Sequence, residues 1–201
     1  MTYNMYKDVK KEGDIMNNYE KIKSLYVKEL EKNNIHRQYL KILEERGEVI
    51  RVIKGLYVAP DKDINEFFIM GERYKTGIFS HNTALYFYHL TDRTPMSLDM
   101  TFPSNVRVNN DFLEPHYIKP ELHSLGETTL KLEDGTNIKI YDLERTICDI
   151  IRDRNKIDPQ IFNTAMKEYF KSNKRNLNLL YKYAKKLKID KILKKYMEVL
   201  D

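Results

Sequence analysis

Residues 35–60 read IHRQYLKILEERGEVIRVIKGLYVAP, and a change of period inside this stretch decides how the first part of the chain folds. Up to Arg46 the apolar residues recur at helical spacing. Ile35, Tyr39, Ile42, Leu43 and Arg46 fall on one stripe, and Arg37, Gln38, Lys41 and Glu45 on the opposite one. Gly47 stands where a helix ends on a left-handed residue, which glycine adopts without a steric penalty. The period then drops to two. Val49 to Ile53 is rich in β-branched residues, Lys54-Gly55 supplies a two-residue turn, and Leu56 to Val58 returns before Ala59-Pro60 ends the ribbon.

Upstream, Tyr19, Ile22, Leu25, Tyr26 and Leu30 recur at spacings of three and four, which predicts helix or two short helices over 18–32, punctuated by Asn33-Asn34. Residues 1–16 show no clean period and read as a partly helical leader. Helix, short break, amphipathic helix and β-hairpin is the order of a winged helix-turn-helix, predicted here for residues 1–60. In such a module the first turns of the second helix reach base edges, and nearby cations hold phosphates. His36, Arg37 and Gln38 occupy that first turn, with Lys41 one turn on. Arg46 sits at the helix edge, Arg51 on the strand leading to the hairpin tip, and Lys54 at the tip itself. These seven residues are the candidate DNA-binding set. Arg can fork to guanine and Gln can pair with adenine.

Beyond Pro60 the pattern turns mixed. Ile64, Phe67, Phe68 and Met70 predict a helix, Ser80 reads as the cap of another from His81 to about His89, and SLDMTFP (97–103) alternates as a strand. PHYIKP, TTLKL and TNIKIYD predict further strands, with Asp134-Gly135 as a hairpin between the last two. Asp142 caps a helix, LERTICDIIRDR, whose Leu143, Ile147, Ile150 and Ile151 face inward. Asp158-Pro159 starts the first of two or three Lys-rich amphipathic helices that run to Leu200. The expected class is therefore α+β: a winged helix-turn-helix over 1–60, then a mixed α/β domain over 61–201 with a helical segment from about 158.

Composition narrows the function. The 201 residues carry a formal charge of +5, distributed as +3 over 1–59, −6 over 60–151 and +8 over 152–201. Basic ends around an acidic middle suit nucleic-acid contact at either end, although Lys-rich helices are often only solvated faces. The C-terminal excess could extend a footprint along DNA or serve RNA or partner binding. A single cysteine, Cys148, precludes an internal disulfide and reads as a buried, inert thiol. The absence of a secretory leader pattern and of any long apolar run predicts a soluble, cytoplasmic protein with no membrane partner.

Catalytic motifs are sparse. The seven glycines form no G-x-G pair and no phosphate-binding loop, and no paired-Cys or H-E-x-x-H spacing occurs. His81 with His89, and His116 with His123, lack a ligand spacing and read as isolated histidines. A Gly-Ser pair with a following acidic clamp, which a nucleotidyltransferase needs, is missing. A metal-dependent nuclease built on Asp99 and Lys139 is the enzyme alternative, weakened because Asn137 stands where the second acid belongs. A stand-alone winged-helix transcription factor with a small-molecule pocket is a further alternative. The expectation is a protein without catalytic activity, cofactor or metal.

The ordered set IHRQYLKILEERGEVIRVIKGLYVAP, GIFSHNTALYFYHLTDRTP, DMTFP and YDLERTICDIIR resembles the AbiEi antitoxins of bacterial type IV toxin–antitoxin systems, linked to abortive infection as phage defence. The resemblance runs from about Tyr26 to the C-terminus. It implies an N-terminal winged helix that binds inverted repeats in double-stranded operator DNA of its own promoter and represses that operon. It also implies a second domain that opposes a separate nucleotidyltransferase-like toxin without forming a stable complex. The residues of LERTICD keep a structural reading beside it: Asp142 as cap, and Glu144, Arg145 and Asp149 as a local ion network.

Overall fold

A computed structural model describes residues 25–26, 38–60 and 65–200. The chain divides into two compact units, Met1–Asn65 and Glu66–Asp201. Among the described residues the secondary structure is mixed α+β, with eight helices and two sheets. No helix among them is long and apolar enough to cross a membrane.

In the first unit, β1 (Leu25–Tyr26), α1 (Gln38–Glu45), β2 (Ile50–Ile53) and β3 (Leu56–Val58) form one helix and a three-stranded antiparallel sheet of order β1-β3-β2. Helix α1 ends in the two bonds of a Schellman motif. The Glu48 amide donates to the Leu43 carbonyl and the Gly47 amide to that of Glu44, with Gly47 at φ +71°. Lys54 and Gly55 then turn β2 into β3, Gly55 taking φ +89°, and the register shifts between Arg51 and Ile53. The apolar centre is Leu40, Leu43, Val49, Leu56 and Val58.

Two expectations change here. The spacing around residue 25 predicts helix, but Leu25 and Tyr26 pair with Tyr57 and Leu56. The open side of β3 offers unpaired backbone groups, and that demand overrides a local period carried by five residues. On α1 the buried stripe is Leu40 and Leu43, while Ile42 is exposed, so the helix is rotated from the stripe that Tyr39 and Ile42 suggest. The rest of the predicted first helix, and His36 and Arg37, lie outside the described residues.

The second unit is built on a five-stranded sheet of order β6-β5-β4-β8-β7. Its elements are α2 (Glu66–Arg73), β4 (Ile78–Phe79), α3 (His81–Phe87), β5 (Leu98–Pro103), β6 (Leu113–Ile118), α4 (Pro120–His123), β7 (Glu127–Lys131), β8 (Asn137–Tyr141), α5 (Leu143–Arg152), α6 (Pro159–Lys171), α7 (Leu177–Lys186) and α8 (Asp190–Leu200). β5 is antiparallel to β4 and parallel to β6; β8 is parallel to β4 and antiparallel to β7.

Alternation along β5 sorts the two faces of this sheet. Met100 and Phe102 lie on one side, where Phe67 of α2 meets Phe79 edge-on and Tyr74 does the same with Phe102. Asp99 and Thr101 lie on the other, beneath α3. Helices α3 and α5 pack with the C-terminal helices into one core that includes Leu85, Ile147, Ile150, Phe162, Tyr169 and Leu180. The lysines of α6 to α8 line the opposite, solvated faces. Gly77 is required by close approach: a β-carbon there would stand 2.7 Å from Met100 Cε and 2.8 Å from the Phe102 ring. Gly77→Ala is expected to cost about 1–3 kcal/mol by overpacking. A denaturant titration showing wild-type stability would contradict that packing.

Helix α5 keeps its predicted cap, since Asp142 accepts from the Arg145 amide, and Arg145 pairs with Asp149 as the i,i+4 spacing suggests. Arg145 and Asp149 are both completely buried, with Arg145 Nε 3.1 Å from Asp149 Oδ2. The guanidinium also donates to the Leu122 and Leu125 carbonyls and lies 4.1 Å from the centre of the Tyr141 ring. Glu144 accepts from the Asn176 amide and from the Tyr169 hydroxyl, tying α5 to the start of α7. Cys148 is buried among these helices, and burial pushes its thiol far above the usual range, which makes it inert.

Candidate functional site

Of the seven residues the sequence nominates for DNA, the structure describes the side chains of Lys41, Arg46, Arg51 and Lys54, all exposed. Gln38 opens α1, and nothing is described beyond its backbone; His36 and Arg37 precede the described helix. Two of the four cations already have acidic neighbours. Lys41 Nζ is 3.7 Å from Glu45, and Arg46 is 3.9 Å from Glu48. Arg51 and Lys54 enter no ion pair among the described residues, and both belong to the hairpin. The charge most available to a phosphate therefore sits on the β2–β3 ribbon.

A second constellation lies in the second unit, and isolated histidine spacings do not foreshadow it. Strand β4 ends at Phe79, and Ser80 leads into α3 through His81, whose φ of +45° is unusual for a residue with a β-carbon. Ser80 precedes the helix as the sequence predicts, but its hydroxyl caps nothing. It is used instead in a relay. Thr101 Oγ1 donates to Ser80 Oγ at 2.8 Å, Ser80 Oγ lies 3.0 Å from His81 Nδ1, and His81 Nε2 lies 3.0 Å from Asp153 Oδ2. An ionised carboxylate only accepts, so the His81 proton resides on Nε2 and Nδ1 accepts from Ser80.

The His116 ring lies face to face with His81, the centroids 3.5 Å apart and the planes 14° from parallel. His116 comes from β6, opposite Thr101 of β5 in the parallel register, and its Nε2 donates to Asp99 Oδ1 at 2.7 Å. Asp99 is nearly enclosed, and its amide donates to the Thr83 hydroxyl. Two His–carboxylate pairs are thus stacked at the wall of a cleft of about 330 Å³, which Asn82, Glu114, Arg152 and Lys156 also line. Arg152 joins Asp149 at 2.9 Å and Asp153 at 3.2 Å, linking the cleft to the buried Arg145 pair.

Burial drives the His81 imidazole below its ordinary value near 6.5, against the pull of Asp153 and with the help of His116. Burial also works to raise Asp153, but the His81 hydrogen bond and the Arg152 charge outweigh it and hold the carboxyl well below the usual range. His81 therefore folds in neutral, whereas the unfolded chain takes up a proton near pH 6.5. Stability is full above that pH and falls as the pH drops below it, by at most about 1.4 kcal/mol per pH unit for one proton. The Asp153 contribution persists until the pH falls below the ordinary carboxylate range. Chemical denaturation in chelator-containing buffer should show the decline between pH 7 and pH 5; a flat profile there contradicts a neutral, enclosed His81.

Asp99 and Lys139, the pair a nuclease reading requires, have separate partners. Asp99 holds His116, while Lys139 lies 3.5 Å from Glu127. His123 bonds the Thr101 carbonyl, and His89 is exposed. The available signal for the cleft is the alternation of Asp99 and Thr101 with apolar residues in an otherwise buried strand, which marks a polar row that must find partners. No protein-family model matches the chain, and no curated protein matches it in sequence.

Proposed function

We propose that this protein is an autorepressing antitoxin of the AbiEi kind: a winged helix in the first unit binds operator DNA, and the second unit counteracts a nucleotidyltransferase-like toxin. The observation that carries the DNA half is the sheet of the first unit. β1 precedes α1 and joins the outer side of β3, which anchors the β2–β3 hairpin and leaves Arg51 and Lys54 exposed. A wing needs a ribbon held by the body of the module, with cations at its tip to graze the backbone. The ordered motifs from 26 onward support the antitoxin half by resemblance.

This reading needs no catalysis by the chain itself. Binding is electrostatic in its sequence-independent part and directional where Arg37 and Gln38 read bases. Repression follows from occupancy of the promoter. Co-expression with a nucleotidyltransferase-like toxin encoded in the same operon, which this reading requires, tests the whole reading. The full chain should restore growth and silence a reporter fused to its own promoter, and residues 66–201 alone should restore growth without silencing. Silencing by residues 66–201, or toxicity undiminished by the full chain, contradicts the assignment.

A further inference from the structure

We propose that His81, His116 and Asp153 bind one first-row transition-metal dication of the zinc class. One donor atom from each of the three lies within 4.8 Å of the others, so a modest contraction brings them around an ion that takes nitrogen at about 2.0–2.1 Å. The donors are two imidazoles and a carboxylate. That set selects zinc, cobalt or nickel over magnesium and calcium, which take oxygen ligands. The site is built from residues of the second unit alone and does not depend on the antitoxin reading.

Both imidazoles are held from behind, as metal-binding histidines are. Asp99 accepts the Nε2 proton of His116, which leaves the Nδ1 lone pair for the ion. Ser80 sits on Nδ1 of His81, which presents Nε2 on the Asp153 side. On loading, the His81 proton moves from Nε2 to Nδ1, where the Ser80 hydroxyl oxygen accepts it. No net proton is lost from either ring. The rings now lie face to face, and an ion requires each lone pair in its own ring plane, so binding fans them apart. His116 is the ring that turns, because its side chain reaches solvent whereas that of His81 is fully enclosed. Arg152 keeps Asp149 when Asp153 turns to the ion.

Two further observations point to a ligand at this place. His81 holds a left-handed backbone at φ +45°, and strain of this kind gathers at binding sites. Asn82 Oδ1, in the lining of the same cleft, is buried without a hydrogen-bond partner among the described residues. With three protein ligands the ion keeps an open position, and a water held there supplies the donor that Asn82 lacks.

Calorimetric titration of the chelator-stripped full chain with ZnCl2, and Co²⁺ visible spectroscopy, test the site. The expected result is one tight zinc per chain, Co²⁺ bands characteristic of low coordination number, and no heat from MgCl2. His116→Gln and Asp153→Asn should each weaken zinc by roughly 100-fold or more, Asp99→Asn by about 10–100-fold, and His89→Gln should change nothing. Circular dichroism checks that each variant is folded. His116→Gln, on a partly exposed side chain, decides the matter if Asp153→Asn does not fold. Absence of zinc binding by the wild-type chain, or wild-type affinity in folded His116→Gln, overturns the proposal.

Discussion

Arg145→Ala is expected to lower the free energy of unfolding by about 3–5 kcal/mol, the range for removing one member of a buried ion pair. The reason is what stays behind. Asp149 is completely enclosed, and without Arg145 its carboxylate keeps, among the described residues, only Arg152 as an ion-pair partner. The Leu122 and Leu125 carbonyls lose their donor at the same time, and the Tyr141 ring loses the guanidinium packed on it. Gly126 shows how closely this region is built. It sits at φ +79°, and a β-carbon on it would stand 2.5 Å from Arg145 Cβ. At roughly 2–4 °C per kcal/mol for a chain of this size, the melting temperature should fall by about 6–20 °C. Replacing both partners with apolar residues of similar volume should cost much less, because no uncompensated charge remains. A loss below about 1 kcal/mol in Arg145→Ala would show that the pair is hydrated or replaceable.

The second large effect concerns salt. Arg51→Ala and Lys54→Ala should each reduce the slope of log binding constant against log salt by about 0.9 for every phosphate no longer neutralised. The weakening should be nearly uniform across DNA sequences. Lys41→Ala and Arg46→Ala should do less, because those side chains must first give up Glu45 and Glu48, exposed pairs of at most about 1 kcal/mol. Arg37→Ala and Gln38→Ala should behave differently. Each is expected to cost about 1–3 kcal/mol on the operator and little on unrelated DNA. Equal losses on operator and unrelated DNA in those two variants would remove Arg37 and Gln38 from the readout.

Local chemistry was the legible part of this sequence. Gly47, Lys54-Gly55, Asp134-Gly135, Asp142 and Asp158-Pro159 each end, turn or start an element where their backbone preferences dictate. What involved distant partners was not legible. Leu25 and Tyr26 join a sheet because β3, thirty residues on, has an open side, and nothing in their own period says so. The i,i+4 spacing of Arg145 and Asp149 correctly pairs them, yet spacing carries no information about depth. The histidine cleft was hidden for a related reason. His81 and His116 meet only because β5 and β6 run parallel across the short connection 104–112, where a hairpin is the ordinary expectation. Polar residues alternating within β5 record that something must satisfy them, but not which residue does.

Whether the first unit is a sequence-specific DNA-binding module acting on the chain's own promoter is decided by one titration. The full chain is titrated at fixed salt against a duplex carrying the upstream region of its operon and against a shuffled duplex of the same length and composition. A sequence-specific module should prefer the promoter duplex by at least about 10³, the lower end for specific DNA binders. Equal affinity for the two duplexes, or no binding to either, contradicts that role.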